Sequence, residues 1–392
     1  MIFDLFHSIS DPRILEDQLG SQSVFSQFID QVQLSEKLGF DTVWCAESHF
    51  SSETQKTSSF ATIPHFQGEV GINSDSFQIA HWIFNKTKKI NFGTAIHNIV
   101  GGSGGPIASA DRLNFLSMMN EEIAGWQRTL RLGIASGRFP YQNVPFGILP
   151  RDSEEAELWP WIKRYVFLEA LEIFLRLIKS ESLSSEMTRE WVLEANEITN
   201  SDLRKKYNQG FRVPKRWNFE KLSLVPKLYP KKYLEIYLGT HDPLAWDWGS
   251  QFCEVNLFNL SFTPPEVVER THRELEKKSN QQGRTWSRDR LPRTVLVFID
   301  PNRKKAYELA DSVLSNYIEA MRGTAQVPDK SMLMERALVG DPTEIREQMN
   351  PQGTRGLNPQ DRLMLWFEFN QTDNQAIKNQ MKMFMEEVVA KL

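Results

Sequence analysis

The sequence predicts an α/β fold of the (β/α)8 TIM-barrel class, with long insertions after the second and fourth strands. Three observations predict it. The chain holds eight short apolar or β-prone runs, helical periodicity separates them, and two polar segments exceed ordinary connections. A doubly wound sheet with a helical domain is the other arrangement this pattern permits.

The first run is IFDLF (2–6), followed by the helical pattern of 23–38. DTVWCA (41–46) is the second, rich in β-branched and aromatic residues, and 76–87 is its helix. Between them lies 50–75, a Ser/Thr-rich stretch with Gly68 and Gly71 that reads as a loop at the barrel mouth. KINFGTAI (89–96) precedes a helix at 108–124, and TLRLGIA (129–135) precedes one at 154–179. Within the latter, RYVFLEALEIFLRLI is interrupted by Arg164, Glu169, Glu172 and Arg176, so it is an amphipathic helix and not a membrane span.

The segment 180–232 is polar, ends in PKLYPKK and reads as an insertion or lid. SSEMTREWVLEANEI (184–198) opens with an N-cap-like serine, which predicts a helix and so a small helical subdomain. The last four strands are YLEIYL (233–238), EVNLFNL (254–260), RTVLVFI (293–299) and RLMLWFEF (362–369). Their helices are predicted at 243–250, 264–282, 303–322, 342–349 and 374–391, so residues 1–392 form one barrel domain.

Composition narrows the function. With 40% hydrophobic and 24% charged residues over 392, the chain is a globular protein with a large core. A net charge of -4, from 46 basic and 50 acidic residues, gives no attraction to nucleic acid. Two cysteines cannot build a disulfide framework, and MIFDLFHSIS has no basic leader, so a reduced cytoplasmic protein without a membrane segment is expected.

Barrel chemistry belongs at the C-terminal strand ends. The first strand delivers His7 and Ser8; the second Glu47, Ser48 and His49; the third His97 and Asn98. The fourth delivers Ser136, Gly137 and Arg138, the fifth Gly239, Thr240 and His241, and the eighth Glu368 and Asn370. A zinc site from Cys45, His49, His97 and His241 lacks the usual ligand spacings, so no metal is expected and Cys45 reads as a core residue. GIASGRF is not a nucleophile elbow, and Glu47 with Glu368 as a glycosidase pair lacks aromatic sugar platforms. The glycines of NIVGGSGGPIASADRLNFL (98–116) permit close backbone approach to a flat ligand or a phosphate, or simply a flexible loop. In LGTHDP (238–243), Thr240 or His241 could cap the next helix or donate to a phosphate.

SEKLGFDTVWCAESHF (35–50), INFGTAI (90–96) with GPIASADRLNFLSMM (105–119), LRLGIASG (130–137) with VPFG (144–147), LVGDPTEIREQM (338–349) and LWFEFNQTDNQAIKNQMKMFMEEVV (365–389) resemble, in order, the blocks of the bacterial luciferase-like flavin-dependent monooxygenases. The resemblance implies a luciferase-like barrel that takes reduced FMN from a separate NAD(P)H-dependent flavin reductase. It implies reaction with O2 to a C4a-(hydro)peroxyflavin that oxygenates an organic substrate, in a homodimeric protein. The flavin ring would lie against the ends of strands two to four, Glu47, Thr94 and Ala95 included, in a dry mouth with a few donors.

Where the luciferase motif reads Glu-His-His-Phe, this chain has Glu47, Ser48, His49 and Phe50. Serine replaces the catalytic histidine; it is no general base near neutral pH but can hydrogen-bond a peroxide or a flavin carbonyl. His49 matches the second histidine, and His97 is the candidate for the missing imidazole. Ser136 stands where the family has a phosphate-binding arginine, with Arg138 two residues on, and Gly239, Thr240 and His241 align with the family's polar phosphate donors. Two other implications are a non-catalytic flavin-binding or partner subunit of luciferase type and a deazaflavin-dependent oxidoreductase. The long loops, with His65, Phe66, Trp191 and Trp217, suggest a covered pocket for a natural-product intermediate of secondary metabolism, free or tethered to a carrier.

Overall fold

A computed structural model describes residues 1–13, 20–58, 61–226, 231–259, 263–324, 327–351, 353 and 355–392. All eight expected strands form. β1 (Ile2–His7) leads to α1 (Ser21–Leu38), which Gly39 stops in the left-handed region at φ 88°. β2 (Thr42–Cys45) leads to α2 (Ser51–Thr57) and α3 (Ser76–Lys86), the latter capped by the Asp75 carboxylate. β3 (Asn91–Asn98) precedes α4 (Gly105–Met118), and β4 (Leu130–Ala135) precedes α5 (Ser153–Ile178). Next come β5 (Trp191–Leu193), α6 (Ser201–Lys206) and β6 (Phe211–Val213). β7 (Leu234–Leu238), α7 (Pro243–Gly249), β8 (Val255–Leu257), α8 (Pro265–Gln281), β9 (Arg293–Ile299) and α9 (Arg303–Ala320) follow. The chain continues through α10 (Lys330–Arg336), β10 (Leu338–Gly340), α11 (Pro342–Gln348), β11 (Arg362–Trp366) and α12 (Asn374–Met383).

The strands follow the order β10-β9-β11-β1-β2-β3-β4-β7-β8. Pairing is parallel at β1–β2, β1–β11, β2–β3, β9–β11 and β9–β10. Just past β8, the Asn259 amide donates to Pro292 O at 3.1 Å and Asn259 bridges Arg293 in parallel. That bridge sets the residue just past β8 beside the start of β9, and the mostly parallel order of the expected strands is that of the (β/α)8 class. β10 is an extra strand on the C-terminal half of β9, where Leu338 pairs with Val297.

Part of the sequence reading is corrected here. Residues 184–198 are not a helix: a 3-10 turn at Ser185–Met187 leads into β5, which pairs antiparallel with β6. Trp191 and Leu193 are buried with Val192 exposed between them, a period of two that packs a strand and cannot pack a helix. Trp191 packs against Tyr165 and Trp248. The expectations at 59–60, 227–230 and Leu260 lie outside the described residues.

The chain divides into two compact units: 1–95, 128–133 and 256–392, and 96–127 with 134–255. In the first, the barrel interior is filled and not hollow. Trp44 is fully buried, donates to Asp4 Oδ2 at 2.7 Å and lies where a Cβ on Gly93 would stand 2.3 Å from its ring. Arg362 pairs with Asp4 at 2.9 Å and Asp41 at 2.7 Å, and Arg131 with Asp41 at 2.9 Å. These pairs offset the cost of burying Asp4, whose carboxyl burial alone pushes up. In the second unit α5 is the spine. Its buried carboxylates hold the insertion: Glu155 binds Arg216 at 2.7 Å, Glu169 accepts the Arg216 amide at 2.9 Å, and Glu172 accepts the Arg189 amide at 3.0 Å. Among the described residues, no helix is long and apolar enough to cross a membrane.

Candidate functional site

In the first unit, the turn leaving β2 is tied to the start of α3. Ser48 N donates to Asn73 O at 3.0 Å, and Asn73 Nδ2 donates to Ala46 O at 2.9 Å. Glu47 is buried and both of its carboxylate oxygens are engaged. Oε2 accepts the Ser76 N–H at 3.1 Å, and Oε1 lies 3.3 Å from His49 Nε2. The carboxylate thus orients the His49 ring, as metal and triad sites orient theirs. Ser48 is partly exposed, and its hydroxyl makes no hydrogen bond among the described residues, leaving it available to a ligand. Cys45 is fully buried between His7 on β1 and Thr94 on β3, and burial pushes its thiol well up, so it is inert. Thr94 is also buried and spends its hydroxyl on Gly133 O at 2.7 Å, while Ala95 beside it is partly exposed.

The first unit also gathers a group at the ends of β1 and β11 that spacing alone only hinted at. Glu368 is buried and accepts from the Ser8 amide, from Ser8 Oγ at 2.8 Å and from Trp366 Nε1 at 2.8 Å. His7 Nδ1 accepts the Ile9 amide at 3.0 Å, which places the ring proton on Nε2, and burial holds the imidazole below its ordinary range. Ser10, two residues past Ser8, was the missed member.

In the second unit, His97 is 1% exposed and packs its Nε2 3.0 Å from Ser109 Oγ on α4. Its neighbour Ile96 points the other way, toward Gly239. The imidazole is thus turned to the helix layer and not to the strand ends as a free base would be. Asn98, by contrast, is a knot: Oδ1 accepts from Val100 N at 2.9 Å, and Nδ2 donates to Gln142 O and Asn143 Oδ1, both at 3.0 Å. Asn143 Nδ2 in turn donates to Ser136 O at 2.8 Å. The loops after β3 and β4 are therefore cross-linked, and Asn143 lay too far along the chain for spacing to reveal it.

Ser136 is partly exposed with a hydroxyl that has no hydrogen bond among the described residues; Arg138 is exposed, its guanidinium 5.4 Å over Phe139. Gly239 donates to Ile134 O at 2.8 Å and packs closely, since a Cβ there would stand 2.3 Å from Ile96 Cδ1. The expected cap of the next helix is corrected: Asp242, and not Thr240 or His241, caps α7 through Leu244 N at 3.0 Å. Thr240 Oγ1 accepts from Asp242 N at 3.1 Å, which leaves its O–H free to donate, and His241 is exposed. Arg164 neutralises Asp242 with two bonds of 2.5 and 2.7 Å. The glycine window contributes through Gly105, whose φ of 79° and missing side chain let Trp217 Nε1 come within 3.0 Å of where a Cβ would be.

No three His, Cys, Asp or Glu side chains among the described residues gather to hold a metal ion. Each unit taken by itself offers donors of the kind that a flavin's oxygens accept: the Ser48 hydroxyl in the first, and the Ser136 and Thr240 hydroxyls with the Arg138 cation in the second. A family model described as luciferase-like monooxygenase matches residues 6–355. The alkanal monooxygenase alpha chain of Photorhabdus laumondii is 22% identical over 235 residues, 60% of this chain and 48% of that one. A Photorhabdus luminescens alkanal monooxygenase alpha chain is 27% identical over 143 residues, 36% of this chain and 33% of that one. The chain thus spans about half the length, or less, of these curated relatives. Among solved structures, monooxygenase RslO1 from Streptomyces bottropensis superposes with a TM-score of 0.72 at 17% identity, covering 100% of this chain and 99% of that one. The oxygenating constituent of 3,6-diketocamphane monooxygenase from Pseudomonas putida, solved with FMN, gives 0.61 at 16%, covering 100% and 98%. An F420-dependent secondary alcohol dehydrogenase gives 0.58 at 14%, covering 99% and 98%.

Proposed function

Because the chain belongs to the luciferase-like monooxygenase family, we propose that it uses reduced FMN and O2 to oxygenate an organic substrate, the flavin coming from a separate NAD(P)H-dependent reductase. Bound reduced flavin supplies the two electrons that activate oxygen. The observation that carries this reading is the turn after β2, where the unengaged Ser48 hydroxyl stands beside a His49 ring oriented by Glu47. Ser48 holds a hydrogen bond to a flavin carbonyl or to the reacting oxygen; it cannot take a proton as a base near neutral pH. His49, held by a carboxylate, is the group suited to do so. Ser136, Arg138 and Thr240 are the phosphate donors, with Gly239 allowing close approach and His241 beside them. Asp242 does not repel a phosphate because Arg164 already pairs with it. His97 positions α4 and is not the base. The substrate is a small molecule, free or carrier-borne, and the family's cytoplasmic, homodimeric habit is expected here.

A deazaflavin reading has one support, the likeness to F420-dependent proteins. One stopped-flow experiment separates the two. The protein is mixed with photoreduced FMN or a reduced deazaflavin and then with O2. Our reading expects reduced FMN to bind and its reoxidation to depart from the free-flavin time course. Free-flavin kinetics, with tight binding of the deazaflavin only, would overturn it.

A further inference from the structure

We propose that the cavity at the C-terminal ends of β1 and β11, walled by His7, Gln31 and Glu368, is a binding site for one neutral hydroxyl group. That group, carried by water or by an alcohol, accepts from His7 Nε2 and donates to Gln31 Oε1. The site is independent of the oxygenase reading above and stands or falls without it.

Two buried polar atoms define it. His7 is 4% exposed and Gln31 2%, and neither His7 Nε2 nor Gln31 Oε1 has a hydrogen-bond partner among the described residues. The bonds made by their other atoms settle what each one is. His7 Nδ1 accepts the Ile9 amide at 3.0 Å, and burial, outweighing Glu368 and Gln31, keeps the imidazole below its ordinary range and so neutral near pH 7. Its one proton is therefore on Nε2. Gln31 Nε2 donates to Asn374 Oδ1 at 3.1 Å on α12, and Asn374 Nδ2 donates in turn to Asp30 Oδ2 at 3.5 Å. A carboxylate can only accept, so this chain fixes both amides and leaves the Gln31 oxygen as the atom turned to the imidazole. Gln31 acts on the His7 ring, yet no direct bond closes between Nε2 and Oε1.

The cavity suits a hydroxyl by size and by charge. Its volume of about 20 Å³ exceeds the roughly 10–15 Å³ that one water requires. The Glu368 carboxylate on its wall repels an anion, and Arg13, also on the wall, is already paired to Asp11 at 2.7 Å. A cation would meet the Nε2–H head-on, and the apolar walls of Val24, Phe28 and Ile377 offer nothing to a charge of either sign. What remains is a neutral group with a lone pair for His7 and a proton for Gln31. A hydroxyl has both.

Once bound, the group ties together β1, α1 and, through Asn374, α12. It also steadies the ring that holds Ile9, a fully buried β-branched residue at φ 51°. That conformation is costly for isoleucine and persists only where the surroundings enforce it. His7 pairs with Cys45 at the end of β2, so the site lies on the rim that carries Ser48 and His49.

Crystals of the full chain, grown and cooled without alcohols, test this. One ordered oxygen is expected within about 2.7–3.2 Å of both His7 Nε2 and Gln31 Oε1. A direct bond between those two atoms, or nothing within reach of both, overturns the site. Soaks in sodium bromide and in rubidium chloride are expected to leave no anomalous peak there, and a peak for either ion overturns the neutral ligand. A methanol soak distinguishes the sources: methanol in place of the oxygen assigns the site to alcohols as well as water, and an unchanged oxygen assigns it to water alone. In solution, the His7 Nε2 proton, identified by its loss in His7→Asn, is expected to show a rotating-frame Overhauser peak to the bound hydroxyl and to lose it in Gln31→Leu. A peak that survives that substitution unchanged overturns the bridge. If Gln31→Leu does not fold, the wild-type crystals decide.

Discussion

Glu47 faces two ways: its Oε1 lies 3.3 Å from His49 Nε2 while its Oε2 accepts the backbone N–H of Ser76, the first residue of α3. One carboxylate thus sets a ring at the end of β2 and ties down the helix that follows the mouth loop. Glu47→Ala should cost about 1–2 kcal/mol by removing a buried acceptor at a helix start. Glu47→Gln keeps an acceptor for one of the two donors and should cost less. Urea denaturation of both variants measures the difference, and equal losses would show that the charge, and not the acceptor, is what matters.

Gly239 and Ile96 compete for one space. A methyl group at 239 would stand 2.3 Å from Ile96 Cδ1 and 3.2 Å from Ala135 Cβ. Gly239→Ala should therefore destabilise by about 1–3 kcal/mol through overpacking. Shortening the partner in Gly239→Ala/Ile96→Val removes the Cδ1 atom and should recover part of the loss. Thermal unfolding of the three variants checks this; a double variant no better than the single would place the strain elsewhere.

His97 and Ser109 meet at 3.0 Å between β3 and α4, both buried. If this contact is what His97 is for, the double-mutant cycle of His97→Ala and Ser109→Ala should show coupling of about 0.5–1.5 kcal/mol in stability. Flavin binding should change little. Loss of flavin binding in His97→Ala at unchanged stability would return the residue to the ligand.

The strands were legible because parallel barrel strands are buried on both faces and read as continuous apolar runs; RTVLVFI, buried at every position of β9, is the clearest. β10 was not, since LVG is three residues long and its pairing on β9 is nonlocal. The helix misread at 184–198 shows the limit of capping signals. Ser184 resembles an N-cap, but the packing of Trp191 on Tyr165 and Trp248, from elsewhere in the chain, decides for a strand. At the candidate site, residue types at strand ends located Ser48, His49 and Glu368 correctly as strand-exit residues. The partners of strand-exit residues could not be read: Asn73 for Ser48, Asn143 for Ser136 and Arg164 for Asp242 are brought in by tertiary contacts that leave no local pattern.

Burial gives the two units opposite responses to pH. In the first, burial pushes His272 down to about 4, so as pH falls from 6.5 through 4 the unfolded chain takes a proton that the folded one refuses. Stability is lost on the acid side, on the order of 3 kcal/mol for the full shift. In the second, burial pushes Glu169 up to about 7, and the amides of Arg216 and Trp217 oppose this only in part. Its folded state keeps a proton that the unfolded chain loses above 4.5, so stability falls as pH rises from 4.5 through 7, again on the order of 3 kcal/mol. Above 7 the carboxylate is charged and grips those two amides, so the Trp217 segment should be most protected from hydrogen exchange there, even though Glu169 no longer adds to global stability. In denaturation between pH 4 and 8 the two effects should nearly cancel between 4.5 and 6.5 in the wild type, whereas stability should rise with pH up to 6.5 in Glu169→Gln and fall from 4.5 to 7 in His272→Gln. Slopes unchanged in either variant would mean that other groups carry the pH dependence.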